Sequence, residues 1–140
     1  MLAEGHLTPP YQVPGTAISD KQLSPNEIEI GLGIHGEPGY RRISPIPPLK
    51  ELIGQLLEML TSTTDTERSF LPFQGNGSDK VVLLVNNLGG LSELELGGIV
   101  SEVRRSLEEM GISIQRLLSG TFMVSNKIIG YRRLTAFRQA

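Results

Sequence analysis

Apolar and polar residues alternate strictly along segment 27–35. Successive side chains of a strand point to opposite faces, so one face carries aliphatic residues and the other carries glutamates, glycines and a histidine. The aliphatic side chains are Ile28, Ile30, Leu32 and Ile34. Glycine within a strand often marks close approach by a ligand or by another backbone. The pattern predicts a first strand with one face on the core and an opposite face cleared of bulk.

Two segments have the spacing of amphipathic helices. The first follows Pro47-Pro48, since proline suits the first turn of a helix. Its apolar stripe consists of Leu49, Leu52, Ile53, Leu56, Leu57 and Leu60. The second helix should begin near Ser92, because Ser92-Glu93-Leu94-Glu95 has the form of a capping box, and end at Gly111. Glycine is unfavourable inside a helix, so we expect close packing at Gly97-Gly98.

Segment 80–85 is a short apolar run rich in β-branched residues, which is typical of a strand buried on both faces. A third strand is predicted at 112–118. The order β-α-β-α-β predicts an α/β fold with an open, three-layer-like arrangement. Ligands of open α/β sheets lie at the carboxyl ends of the strands. The glycine-rich segments 33–39 and 86–90, which follow the first two strands, therefore predict one shared site.

Composition narrows the possible partners and the compartment. The chain has 140 residues, about one domain, with a net charge of −2, so we expect neither nucleic acid nor a membrane surface as partner. No apolar run approaches the roughly 18 residues of a membrane span. There is no cysteine and there are only two histidines, so we expect no disulfide and no metal site. A reducing, cytoplasmic location is the expectation.

His35 is the leading candidate for chemistry. Neutral imidazole is a nucleophile and predominates at physiological pH. Addition of a ring nitrogen to the carbonyl of a small ketone gives a hemiaminal, which selects carbonyl compounds and fixes their orientation. Gly33 and Gly36 remove bulk beside the ring, and we assign them to substrate binding. The alternative interpretation is a histidine packed at a strand end and bonded to a nearby carbonyl.

Other polar residues allow two interpretations each. Asn86 and Asn87 could donate hydrogen bonds to a hydroxylated ligand, but asparagine near glycine is also ordinary turn chemistry. Glu37 could orient the His35 ring or act as a base, and it could equally be a solvated loop carboxylate. Arg41-Arg42 could bind a phosphate or form a surface pair.

Three motifs, in order along the chain, resemble the dihydroxyacetone (glycerone) kinase family. They are Gly-Leu-Gly-Ile-His-Gly-Glu-Pro-Gly at 31–39, Val-Asn-Asn-Leu-Gly-Gly at 85–90 followed by Leu-Glu-Leu-Gly at 94–97, and Gly-Thr-Phe-Met at 120–123. They are similar to the second half of the family's substrate-binding K domain, over about residues 13–125. We therefore expect an extended or poorly ordered lead-in at 1–26, a partial K domain at 27–125 and a divergent basic tail at 126–140.

The resemblance implies that His35 binds dihydroxyacetone covalently as a hemiaminal. The family phosphorylates dihydroxyacetone, and often glyceraldehyde, with ATP and magnesium held by a separate helical L domain or subunit. In some bacteria a phosphotransferase-system partner replaces ATP, and related animal enzymes also form cyclic FMN. The K domain is commonly dimeric, so a homodimer is expected for the intact enzyme. This chain itself is expected to bind no cofactor.

The chain also departs from the family pattern. It has no counterpart of the first half of the K domain or of the L domain, and segment 126–140 is unlike the family. We therefore expect a fragment that lacks turnover by itself and is prone to association, such as a truncated product, a splice variant or a mis-joined gene model. One alternative is a non-catalytic triose-binding or partner-binding module. Another is a phosphoryl relay on His35.

Overall fold

The computed structural model describes residues 2–5, 23–24, 26–31, 39–65, 71–87, 91–122 and 132–137, of which 2–5 and 132–137 are described as backbone. These residues form six strands and two helices. The strands are β1 (Leu2–Gly5), β2 (Ile28–Ile30), β3 (Arg41–Ile43), β4 (Lys80–Asn87), β5 (Ser113–Gly120) and β6 (Arg132–Phe137). The helices are α1 (Leu49–Thr61) and α2 (Glu93–Glu109). The predicted α/β class is confirmed.

The strands form one mixed sheet in the order β3-β2-β1-β6-β4-β5. Strands β4 and β5 are parallel and are joined through α2, because a parallel pair needs a long crossover connection. The other neighbouring pairs are antiparallel. The sequence pattern predicted the β4-α2-β5 unit correctly but did not predict β1 or β6, which lie in the expected lead-in and tail. The expected boundaries at 26 and 125 stay a prediction.

The core lies on one face of the sheet, beneath both helices. Val81, Leu83 and Val85 of β4 are buried there. They pack in one cluster with Ile30 of β2, with Ile53, Leu56 and Leu57 of α1, and with Leu96, Val103 and Leu107 of α2. On the other face Val82 and Leu84 are only half-buried. The expected burial of segment 80–85 on both faces is thus complete on the helix face and only partial on the other, because the two described helices share one face.

Local signals set the ends of α2 as predicted. Glu95 N–H donates to Ser92 Oγ at 3.3 Å, and Ser92 N–H donates to Glu95 Oε2 at 2.9 Å, which completes the capping box. Gly111 follows the helix with φ +75°, and Ile112 N–H donates to the Leu107 carbonyl at 2.9 Å. This closing bond requires the left-handed backbone that glycine adopts at no steric cost.

Two expectations about glycine need correction. Gly97 and Gly98 are exposed, and a Cβ built at either position meets nothing within 4 Å, so close packing among the described residues does not explain them. The first strand is also interrupted at Gly31. β2 ends at Ile30, because Gly31 has φ +78° and leaves the extended conformation. The rest of the predicted strand, at 32–35, lies outside the described residues.

Candidate functional site

The strands that precede the two glycine-rich segments, β2 and β4, finish at opposite ends of the sheet. Strand β2 is antiparallel to β1, β1 to β6, and β6 to β4, so three reversals make β2 antiparallel to β4. The carboxyl ends of β2 and β4 therefore point in opposite directions. The two carboxyl ends do not meet, because the sheet is mixed rather than parallel. The shared site itself stays a prediction, since 32–38 and 88–90 lie outside the described residues.

Residues 31–40 connect the antiparallel strands β2 and β3, and His35 lies within this connection. In the hairpin register, Ile30 is opposite Arg41 and Glu29 is opposite Arg42. His35, Gly33, Gly36 and Glu37 all fall in 32–38, outside the described residues. Their predicted roles stay predictions, and the structure describes the two ends of the connection on which they depend.

The buried carboxylate of Glu29 contacts the residues at the far end of this connection. Glu29 Oε1 accepts a hydrogen bond from Gly39 N–H at 2.7 Å, and Glu29 Oε2 lies 3.3 Å from Arg42 Nε. The Glu29 side chain is 9% exposed, whereas that of Arg42 is 43% exposed. Hydrogen bonds to an ionised acceptor are shorter and stronger than neutral ones. We call Glu29, Gly39 and Arg42 the Glu29 cluster.

Glycine permits the close backbone approach at both ends of the connection. A Cβ at Gly39 would lie 2.7 Å from the Ile30 carbonyl oxygen and 2.5 Å from Glu29 Cγ. A Cβ at Gly31 would lie 3.0 Å from Tyr40 Cβ, at a residue whose φ is already positive. Since backbone cannot yield as a flexible side chain does, these contacts require glycine. The residues just before and just after 32–38 are thus held against each other.

The predicted asparagines are buried and make hydrogen bonds within the chain. Asn86 is 1% exposed, and its Oδ1 accepts from Phe122 N–H at 2.8 Å, which ties the end of β4 to the residues after β5. Asn87 is 3% exposed, its Nδ2 donates to the Leu91 carbonyl at 2.8 Å, and its Oδ1 accepts from Leu91 N–H at 3.3 Å. This geometry supports a structural role for both amides. Their assignment to substrate binding stays a prediction.

Glu29 was missed by sequence reasoning. The alternation placed it on the face opposite the aliphatic residues, and nothing local distinguishes it from a solvated glutamate. Its ion-pair partner is Arg42, which faces it across the β2–β3 ladder. Opposite charges on adjacent strands of a hairpin are the signal that could have found the pair. Arg42 is therefore engaged with Glu29, and the phosphate-binding interpretation of Arg41-Arg42 loses one of its two charges.

The charged face of α2 lies elsewhere and forms its own ion pairs. Arg104 donates a hydrogen bond to Glu108, and Arg105 donates to Glu102. These bonds and the charges of the two carboxylates raise the pKa of both arginines. Within the described part of the chain, no three acidic or histidine side chains are grouped so as to hold a metal ion. Neither described helix is long and apolar enough to cross a membrane.

Comparison with known proteins identifies the family. The Dak1 domain model matches residues 5–135. The chain belongs to the Dak1 domain family. It is 49% identical over 104 residues to a dihydroxyacetone kinase of Komagataella pastoris and 48% identical over 109 residues to the triokinase/FMN cyclase of Homo sapiens. These matches cover 74% and 78% of this chain but only 17% and 18% of the two relatives.

Two solved structures share the fold of this chain. The dihydroxyacetone kinase of C. freundii in complex with AMP-PNP and Mg²⁺ superposes with a TM-score of 0.67 at 25% identity, over 98% of this chain and 22% of that protein. A dihydroxyacetone kinase operon co-activator, Dha-DhaQ, gives a TM-score of 0.70 at 26% identity, over 98% of this chain and 39% of that protein. The resemblance noted from the three motifs is confirmed.

Proposed function

We propose that this Dak1 chain is the ketone-capturing part of a dihydroxyacetone kinase, which holds dihydroxyacetone or glyceraldehyde as a hemiaminal on His35. The observation that carries the proposal is the Dak1 match across residues 5–135, because that range includes the motif around His35. The Glu29 cluster supports it, since it fixes the residues on either side of 32–38. Gly33 and Gly36 would give the ketone access to the ring.

The proposed capture is a balanced addition. The lone pair of the unprotonated ring nitrogen attacks the carbonyl carbon, a C–N bond forms, and the π electrons of the C=O bond move to oxygen. The other ring nitrogen releases its proton, and the new alkoxide takes up a proton to become a hydroxyl. The adduct is neutral and reversible. A polyol such as glycerol has no carbonyl group, so this chemistry rejects it.

Phosphorylation is the second part of the proposal. ATP with magnesium would be the donor in the intact enzyme, held by an L domain or subunit, and the nucleotide and Mg²⁺ in the C. freundii kinase complex support this. Capture positions the ketone but supplies neither a general base nor a phosphate clamp, so the chain alone should show no turnover. We propose that the intact enzyme is a cytoplasmic homodimer.

The direct test uses the two histidines of the chain. The full chain is mixed with dihydroxyacetone labelled with ¹³C at C2, and both the carbon spectrum and the native mass are recorded. We expect a new resonance for a tetrahedral carbon bonded to oxygen and nitrogen, and one ligand mass per chain. His35→Ala should abolish both, whereas His6→Ala, the matched control, should retain both. An adduct that persists in His35→Ala, or none in the wild-type chain, would overturn the proposal.

A regulatory module is the second candidate function. The solved structure described as an operon co-activator covers 98% of this chain, so by its own description the fold also occurs outside kinases. In that case the chain would bind a triose and signal through a partner without phosphoryl transfer. Mixing the chain with an ATP-binding L domain of a relative separates the two candidates. Formation of triose phosphate above the level of either component alone would exclude the purely regulatory function.

A further inference from the structure

We infer that Asn76 is a deamidation site, at which the Gly77 amide nitrogen attacks the asparagine side chain and Ser78 activates the reaction. The modification converts the asparagine into a mixture of aspartate and isoaspartate, and it needs no enzyme. The site lies in the loop that precedes β4 and takes no part in the proposed ketone capture. The inference therefore stands or fails independently of the proposed function.

The accessibility of the nucleophile is the first step of the argument. Asn76 and Gly77 are both exposed, and a Cβ built at Gly77 would meet nothing within 4 Å. Among the residues that the structure describes, no acceptor is bonded to Gly77 N–H. Glycine also has no side chain that would crowd its own nitrogen. The Gly77 nitrogen can therefore lose its proton to a base in solution and attack without steric hindrance.

The second step concerns the electrophile, the amide carbon Cγ of Asn76. Its Oδ1 accepts hydrogen bonds from Ser78 N–H at 3.0 Å and from the Ser78 hydroxyl. The ring closed by the first of these bonds contains both Asn76 Cγ and Gly77 N, the two atoms that must join. Negative charge develops on Oδ1 during the attack, and donors already directed at that atom stabilise the transition state. Ser78 thus supplies two such donors.

The reaction is balanced with water as its co-reactant. Gly77 N–H gives its proton to a base in solution, the nitrogen lone pair forms a C–N bond to Asn76 Cγ, and the π electrons of the C=O bond move to Oδ1. That electron pair then re-forms the carbonyl, while Nδ2 takes up a proton and leaves as ammonia, which gives a cyclic imide. Water opens the imide at Cγ to give aspartate, or at the main-chain carbonyl carbon to give isoaspartate.

The consequence should fall on Asp79, a buried carboxylate in the same loop. Asp79 is 9% exposed, and its side chain accepts from Gln74 N–H and from Gly75 N–H, both at 3.0 Å. Its backbone carbonyl accepts from Ser113 N–H at 2.8 Å, which joins the loop to the start of β5. Deamidation of Asn76 adds a second negative charge to this loop, and like charges repel. The deamidated chain should therefore unfold at a lower temperature than the fresh chain.

The experiment incubates the full chain in ¹⁸O-labelled water at mildly alkaline pH and follows its tryptic peptides by mass spectrometry. Peptide 69–80 contains Asn76 as its only asparagine, and peptide 22–41 contains Asn26, which is also exposed but precedes Glu27. We expect peptide 69–80 to gain ¹⁸O-labelled acid well before peptide 22–41 does. Asn76→Gln keeps a side-chain amide but must close a larger ring, so this matched variant should show no comparable gain.

The role of Ser78 is tested by comparing the folded chain with the chain unfolded in urea. Ser78 is exposed, so its variants should remain folded. In the folded chain Ser78→Ala should slow deamidation about tenfold, the change that ~1.4 kcal/mol of activation free energy represents. Ser78→Thr, which keeps the hydroxyl, should stay within about threefold of the wild type. In urea the three rates should converge, because the hydrogen bonds of the loop are lost.

Four outcomes would contradict this account. Equal rates at Asn76 and Asn26 in the folded wild-type chain would overturn the inference as a whole. A folded Ser78→Ala chain that reacts as fast as the wild type, or a tenfold slowing that persists in urea, would overturn the activation by Ser78. An unfolding temperature that stays unchanged after complete deamidation would overturn the expected effect on Asp79.

Discussion

Two strands, β2 and β4, each lead into a glycine-rich segment. Side chains of the two strands make different kinds of hydrogen bond to the backbone that follows. At the end of β4 these side chains are neutral amides. Asn87 forms hydrogen bonds with both the N–H and the carbonyl of Leu91, and Asn86 accepts from Phe122 N–H. After β2, a buried carboxylate holds Gly39. β4 is an eight-residue strand with a parallel neighbour and a helix above it, whereas β2 has three residues. The shorter strand is thus the one followed by the charge-assisted contact, which is the stronger type of hydrogen bond.

The buried amides after β4 and the buried carboxylate of β2 differ in how common such groups are in folded proteins. Buried polar groups that complete a turn are expected wherever a strand passes into a helix, since their hydrogen bonds replace those of water. A buried glutamate is rarer, because its charge must be compensated. The asparagines at β4 fit the first description. Glu29 fits the second, and it lies beside the segment that contains His35.

The largest predicted effect tests the difference in packing between the two faces of β4, one of which lies under the helices. Val85 is fully buried, while Val82, on the same strand, is half-buried on the opposite face. Val85→Ala should lower the free energy of unfolding by about 2–3 kcal/mol through lost burial and the resulting cavity. Val82→Ala, the matched control, should cost under about 1 kcal/mol. Urea unfolding of both variants checks this, and equal losses would contradict the one-sided core.

A smaller effect should follow from Asn86→Ala. It leaves Phe122 N–H without its acceptor, so we expect a loss of about 1–3 kcal/mol in the free energy of unfolding. If the role of Asn86 is structural, the folded variant should capture dihydroxyacetone with unchanged affinity in an NMR titration with the ¹³C-labelled ketone. Tenfold weaker capture at full folding would instead favour the substrate-binding assignment and place the β4 edge near the ketone.

Features that depend on neighbouring residues in the sequence could be predicted, and features that depend on distant residues could not. The start of α2 was predictable because Ser92 and Glu95 are neighbours in sequence and their reciprocal bonds need no tertiary context. The pairing of β1 with β6 was not, because it joins residues 2–5 to residues 132–137 and leaves no local pattern. For the site, the motif around His35 was readable from the sequence alone. The burial of Glu29 was not, since it depends on the register of β2 with β3.

An intermediate effect is expected from Ser92→Ala, which tests whether the cap of α2 and the Glu29 cluster are independent. Ser92→Ala removes the side-chain acceptor of Glu95 N–H, which should cost about 1 kcal/mol of unfolding free energy. The cap lies at the N-terminus of α2, after β4, so hydrogen exchange at the Gly39 amide should not change. Thermal unfolding and exchange measured on one sample test both statements. Faster exchange at Gly39 would show that the two closures are coupled.

The smallest predicted effect concerns Arg42. Its side chain is 43% exposed, so the ion pair is open to solvent on the Arg42 side, and Glu29 keeps its hydrogen bond from Gly39 N–H when Arg42 is replaced; such a pair contributes little. Arg42→Gln should therefore cost under about 1 kcal/mol, and the difference from wild type should shrink as salt rises. Arg41→Gln is the matched control, because strand alternation points Arg41 to the opposite face. A loss of about 3 kcal/mol or more at Arg42 would mean that the ion pair, rather than the bond to Gly39, holds the residues after β2 in place.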